Sequence, residues 1–190
     1  MPVRTIFLTL TMLTLILAGC STSNSTIPET SDQTSSSNSN FGSLFSINEI
    51  GLGPNDYVAL TNFTDQPASL GGLFLCQDTK CFELPNVEVA PGAMARIAVG
   101  DGTGLDNVVS TGATIGELQP VNGEVALYVS KKVKDPGSII MYLEWGSTPH
   151  GNTDNAIEAG LWIKGSYAPS SDKATRLFRT DGGLLVFEEK

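Results

Sequence analysis

From residue 44 to residue 145, apolar and polar side chains alternate in short stretches separated by turn formers. "LFSINEI" (44–50), "DYVALTN" (56–62), "GLFLCQ" (72–77), "CFELP" (81–85), "MARIAV" (94–99), "EVALYVS" (124–130) and "SIIMYLEW" (138–145) each predict a strand. Between them lie "GLGPN", "TDQPAS", "EVAPGA", "VGDGTG" and "KKVKDPG", whose Gly, Pro, Asn and Asp residues mark turns. In "EVALYVS", Val125, Leu127 and Val129 share one face, and Ala126, Tyr128 and Ser130 the other. In "DYVALTN", Val58 and Leu60 alternate with Tyr57, Ala59 and Thr61. Period-two burial of this kind lays one face on a core and leaves the other partly wet. Only "TDNAIEAGLW" (153–162) has helical character, and Gly160 is placed to end it after two turns. Short strands without a long 3.6-residue period predict an all-β fold, a sandwich or a barrel.

The N-terminal pattern differs. Residues 6–17 form an apolar run, too short for a bilayer span of roughly 20 residues. Arg4 precedes the run, and the small-residue pair Ala18-Gly19 and Cys20 end it, which matches the layout of an export signal. Leu17-Ala18-Gly19-Cys20 resembles the bacterial lipobox. The resemblance implies a signal peptide over residues 1–19, a diacylglyceryl group on the Cys20 sulfur, and Cys20 as the first mature residue. Two acyl chains hold a protein stably on a membrane where one does not. Ser21 rather than Asp follows the Cys, a pattern similar to lipoproteins sent to the outer membrane of diderm bacteria. The expected location is thus the cell envelope, with membrane contact through the lipid on Cys20.

Residues 20–43 hold this Cys and a Ser/Thr/Asn-rich linker. So little apolar surface cannot offset ordering entropy, and the segment is expected to be disordered. A flexible chain of this length has a reach of roughly 25 Å.

Residues 44–190 form one domain-sized unit with 10 Lys/Arg against 18 Asp/Glu. The acidic balance argues against nucleic acid and against docking on anionic headgroups, and is compatible with simple solubility.

"INEIGLGPNDYVALTNFTDQPASLGGLFLCQ" followed by "ELPNVEVAPGAMARIAVG" resembles a lamin-tail domain. The matching positions are Ile47, Glu49, Ile50, Asp56, Val58, Leu60, Asn62, Leu70, Gly72, Phe74, Pro91 and Gly92. The close match spans roughly residues 44–100, and a weaker one continues through "VNGEVALYVS" and "YLEWG". The resemblance implies an immunoglobulin-like β-sandwich. This chain departs from the family pattern at Ala59, where a Glu is usual, so any role resting on that carboxylate is absent. Asn62, Gly72 and Gly92 fit turn geometry, and the matched residues define a scaffold rather than a site.

Four groups of residues are candidates for chemistry. Cys76 and Cys81 bracket a four-residue loop and would face each other across a hairpin. A disulfide is the favoured reading in an oxidising compartment, ahead of free thiols, with a metal site last because the chain holds one His. The loop 100–107, with Asp101, Asp106 and Asn107, reads as a turn, since calcium ligands need closer spacing and a bidentate Glu. Glu144, His150 and Asp154 lie close in sequence, yet no nucleophile elbow and no zinc-type His pair accompanies them. Trp145, His150, Trp162 and Tyr167 form the candidate binding cluster, since loop aromatics stack on sugars or anchor protein partners. The competing reading puts both Trp in the core, and the ending of "YLEWG" on an apolar strand makes at least one of them a core residue. Lys131, Lys132 and Lys134 read as a solvated turn at a strand end.

The sequence therefore points to a non-catalytic, lipid-anchored module without a cofactor, recognising a protein or a glycan of the envelope. A self-associating structural subunit is the alternative, and a hydrolase using His150 a third.

Overall fold

The computed structural model describes residues 44–100, 109–179 and 185–189. Cys20, the signal and linker segments and Asp101, Asp106 and Asn107 lie outside the described residues. Among the described residues twelve strands, a single 3-10 turn (Gly112–Thr114) and one short α-helix follow in order: β1 (Phe45–Gly51), β2 (Tyr57–Asn62), β3 (Ala68–Ser69), β4 (Phe74–Gln77), β5 (Lys80–Glu83), β6 (Glu88–Val89), β7 (Met94–Ala98), β8 (Val109–Ser110), β9 (Gly123–Tyr128), β10 (Ile139–Trp145), α1 (Thr153–Glu158), β11 (Ala174–Arg179) and β12 (Leu185–Glu189), the 3-10 turn lying between β8 and β9. The fold is all-β, and its sheets are consistent with a β-sandwich.

One sheet has six strands in the order β12-β11-β1-β2-β7-β8, and another has four in the order β10-β9-β4-β5. The small pair β3-β6 stands apart. Pairing is antiparallel except between β7 and β8. Ile47, Ile50, Val58, Leu60 and Ile97 from the six-stranded sheet share one buried cluster with Leu75, Val125, Leu127, Leu143 and Trp145 from the four-stranded sheet. Burial of this apolar surface is the main force holding the sheets, at roughly 25 cal/mol per Å².

Strict alternation would send Ile47 and Ile50 to opposite faces. A register shift between Ile47 and Glu49 opposite β2 resets the parity, so both Ile enter the core. Glu49 is left on the outer face, where Tyr57 and Arg176 bond it and Arg96 lies 3.7 Å away. The Tyr57 ring covers Gly51 across the strand pair; a Cβ there would lie 2.1 Å from the ring. Ala59, where the resembling family has Glu, pairs with Glu49 on one side and Arg96 on the other. At the end of β2, buried Asn62 holds the following turn: Nδ2 donates to the carbonyls of Gln66 and Val89, and Oδ1 accepts from Thr64. Gly72 and Gly92 take φ of +83° and +66°, the left-handed turn geometry their positions suggested.

One expectation is corrected. The second face of "EVALYVS" is not wet: every residue of β9 is buried. Phe74, Cys76, Ala126, Tyr128, Ile139 and Tyr142 form a second cluster on the outer face of the four-stranded sheet. Ala156 of α1 completes it, with Ala159 and Trp162 against it. The chain after β10 thus folds back as a cap over this sheet.

Candidate functional site

The cap is held to the sheet by a buried polar network. Glu124 on β9 is almost fully buried, and its carboxyl meets three separate parts of the chain. The Asp78 backbone N–H donates to Oε1 at 2.9 Å from the β4–β5 turn. From the cap, Asn152 Nδ2 donates to Oε1 at 2.7 Å, and the Asn152 N–H lies 3.1 Å from both oxygens. Tyr142 Oη, on the neighbouring strand, lies 2.6 Å from Oε2. The same phenol oxygen lies 2.7 Å from Glu144 Oε2 and 2.9 Å from Thr153 Oγ1. Thr153 donates to Glu144 Oε2 and accepts the His150 N–H at 2.7 Å.

Tyr142 and Glu144 face outward because β10 is reset by a register shift between Ile139 and Met141. Leu143 and Trp145 then point inward. Burial, and next the bonds to Glu124, hold the Tyr142 phenol far above its ordinary range, so it remains protonated. Burial pushes the Glu124 carboxyl up, and the opposing bonds from Tyr142 and Asn152 do not cancel it. Burial also pushes Glu144 up, but Thr148, Thr153, Tyr142 and nearby His150 outweigh it and hold that carboxyl below its ordinary range. Glu144 Oε1 and His150 Nε2 are both buried without a hydrogen-bond partner.

The β4–β5 turn that carries Asp78 is shorter than the four-residue loop read from sequence, because Gln77 and Lys80 pair as strand residues. Asp78 sits at φ +51°, which Asp tolerates in a tight turn. Cys76 and Cys81 face each other directly and are joined as a disulfide. Asp78 also accepts the Gly151 N–H and, through its carbonyl, Asn152 Nδ2 at 2.6 Å. Sequence reasoning missed this network. Its signal was the pair of acidic residues, Glu124 and Glu144, inside otherwise apolar strands.

The expected aromatic cluster is divided between two faces. Trp145 is fully buried between the sheets, its indole N–H donating to the Gln119 carbonyl at 2.9 Å. Trp162 lies on the other side, edge-on to Tyr142 and half-buried, with its N–H on the Ser166 carbonyl. Tyr167 is 46% exposed. His150 takes part through its backbone, and its ring is near Glu144. Asp154 lies exposed on α1.

Trp162 sits in a loop that presents apolar side chains to solvent. Leu161 is 38% exposed and Ile163 75%. With Gly160, Trp162 and Ser166 they line a shallow groove of about 360 Å³. Both ends of the loop are fixed. At the start, Leu161 and Trp162 donate to the Ala156 carbonyl at the end of α1. At the finish, Ala168 exchanges hydrogen bonds with β10: its N–H reaches the Glu144 carbonyl at 3.0 Å, and its carbonyl receives the Gly146 N–H at 2.8 Å.

Among the described residues no group of three or more His, Cys, Asp or Glu is placed to hold a metal ion. Among them, also, no helix is long and apolar enough to cross a membrane. Comparison with protein-family models and with curated proteins finds no match to the chain.

Proposed function

We propose that this chain is a lipid-anchored cell-envelope protein whose immunoglobulin-like sandwich, of lamin-tail type, recognises another protein through the loop 160–167. The carrying observation is the exposed apolar edge of Leu161, Ile163 and Tyr167 beside half-buried Trp162, on a loop bonded at both ends. Large apolar groups held rigid in water are what protein interfaces use as anchors, because little entropy is lost on binding. The aliphatic tips favour a protein over a glycan. Sugars are held by open aromatic faces with free polar donors, and the Trp162 N–H is already occupied by Ser166.

The sandwich type rests on the resemblance over residues 44–100. Ile47, Ile50, Val58, Leu60 and Leu70 fill the core, and Asn62, Gly72 and Gly92 shape turns, as a scaffold pattern requires. Lipid attachment at Cys20 rests on the lipobox-like sequence. The buried carboxyls serve the cap rather than a reaction, since Glu124 and Glu144 are closed to solvent.

Capture of envelope proteins on the mature chain, in parallel with Ile163→Asp, tests the recognition reading. A partner retained by the native chain and lost by the variant supports it. Equal capture by both defeats it, and concentration-dependent self-association in light scattering favours the structural alternative. Mass analysis of the N-terminus tests the anchor: an unmodified chain, or one starting elsewhere than Cys20, defeats it.

A further inference from the structure

Asn62 gathers three pieces of chain at one end of the sandwich. Its N–H donates to the Ala93 carbonyl, its carbonyl accepts the Gly92 N–H, and its Nδ2 donates to the carbonyls of Gln66 and Val89. The next residue, Phe63, donates its N–H to the Leu44 carbonyl, at the point where the segment 20–43 joins. The turns 63–67 and 90–93 and the entry of that segment therefore lie side by side.

Apolar side chains stand out at this end. Phe63 is 61% exposed and Met94 42%. Met94 pairs with Thr61 near the end of β2, and alternation sends both to the outer face, away from Leu60 and Ala95 in the core. Charge is sparse: in 63–67 and 90–94 Asp65 is the single ionisable residue. Arg96, two residues beyond Met94, is turned to Glu49 and the Tyr57 ring. One exposed apolar side chain is ordinary on a protein surface. Two of them, on an almost uncharged end where the tether joins, call for an occupant.

We propose that this end of the sandwich rests on the bilayer, with Phe63 and Met94 seated at the boundary between headgroups and acyl chains. This placement presupposes the lipid on Cys20. The tether 20–43 has a reach of roughly 25 Å, whereas a domain of this size is roughly 40 Å across. With the entry end down, the tether is relaxed. With the opposite end down, it must stretch past the body, at a cost in chain entropy. Tethering also holds this end near the surface at a high effective concentration, so a weak apolar contact suffices.

The force is burial of apolar surface rather than charge. Residues 44–190 carry 10 Lys/Arg against 18 Asp/Glu, which disfavours anionic headgroups. The contact therefore forms on zwitterionic lipid and does not weaken with salt. The cap and its loop 160–167 cover the outer face of the other sheet, so the membrane contact leaves that loop clear for its protein.

The test supplies the tether chemically. Cys76 and Cys81 are joined, so Cys20 is the one thiol in the chain from residue 20 on, and it is coupled to a maleimide lipid in phosphatidylcholine vesicles. A photo-crosslinking residue is placed in turn at 63, at 94 and, as control, at 121. Val121 is 55% exposed, beside the loop that meets Asp56 at the far end of β2. The expected result is phosphatidylcholine adducts at 63 and 94, absent at 121 and unchanged at high salt. Equal lipid labelling at all three positions, none at 63 and 94, labelling that falls with salt, or adducts with a second copy of the chain would overturn the placement. Failure of the anchor reading shows elsewhere, as a native N-terminus without lipid. Failure of recognition shows as equal partner capture by Ile163→Asp.

Discussion

The Trp162 ring meets the Tyr142 ring edge-on, with centroids 5.4 Å apart and planes at 81°. One edge of the Tyr142 side chain thus carries the exposed loop, while its hydroxyl joins the two buried glutamates. Tyr142 touches both the exposed loop and the buried carboxyls.

Tyr142→Phe separates the two roles. The ring stays for Trp162, and the hydroxyl shared by Glu124 and Glu144 is lost. Each buried carboxyl loses one donor and keeps the others, Asp78 and Asn152 on Glu124 and Thr153 on Glu144. Losing a hydrogen bond to a buried charged or polar group costs about 1–3 kcal/mol, so denaturant unfolding should place this variant about 2 kcal/mol below the native chain. Hydrogen exchange should rise first in residues 150–163.

Gly146→Ala should be far more damaging than its size suggests. Gly146 starts the cap at φ +79°, and a Cβ there would lie 1.8 Å from the Val121 carbonyl oxygen. Gly146 cannot move away without straining its bond to the Ala168 carbonyl. A loss of about 3 kcal/mol or more is expected, measured by thermal or denaturant unfolding, and a change under 1 kcal/mol would contradict this packing.

Asp56 gives a pH-dependent stability. Its oxygens accept the Gly53 and Leu118 N–H groups at 2.7 and 2.6 Å, yet burial wins and pushes the carboxyl up to about 6. The fold therefore prefers the protonated acid. Its contribution is present below the unfolded value near 4 and is lost as pH rises through about 6. The loss is about 3 kcal/mol at most. Denaturation at pH 4, 5, 6 and 7 should show that slope in the native chain and its removal in Asp56→Asn, whatever the variant's absolute stability.

The Cys76–Cys81 bond closes a very small ring. Removing it as Cys76→Ala/Cys81→Ala should cost about 2 kcal/mol, from the chain-entropy relation. Added reductant should lower the native chain toward the double variant and leave the variant unmoved.

Period two is clearest where inward residues repeat every second position, as in Val125 and Leu127. β1 and β10 were read as strands although each carries a register shift, because Ile, Leu and Phe are dense in them. β11 and β12 were not read: Ala174 and Leu177, both buried, are three residues apart across a register shift, and polar Thr175 and Arg176 lie between them. The wholly buried β9 was misread on its outer face for another reason: what covers it comes from residues 146–162, distant in sequence. The facing of Cys76 and Cys81 was legible from local spacing, as was the end of the helix near Gly160, which takes φ +73°. The sequence put at least one of Trp145 and Trp162 in the core, from the apolar strand that "YLEWG" ends, and left the other undecided. The parity of β10, reset by its own bulge, decides that one faces the core and the other follows the cap.

Ile163 is 75% exposed and so buries little surface on folding. Ile163→Asp should therefore leave unfolding stability within about 0.5 kcal/mol of the native chain. A larger loss would mean that the residue belongs to the cap's own core.

The most direct measurement places a photo-crosslinking residue at position 163 of the full-length chain, in its own envelope, with a second probe at exposed Met94 as control. The account predicts one discrete protein adduct at 163, absent from position 94 and abolished by Leu161→Asp. Adducts equally abundant at both positions, or none at 163, would contradict it.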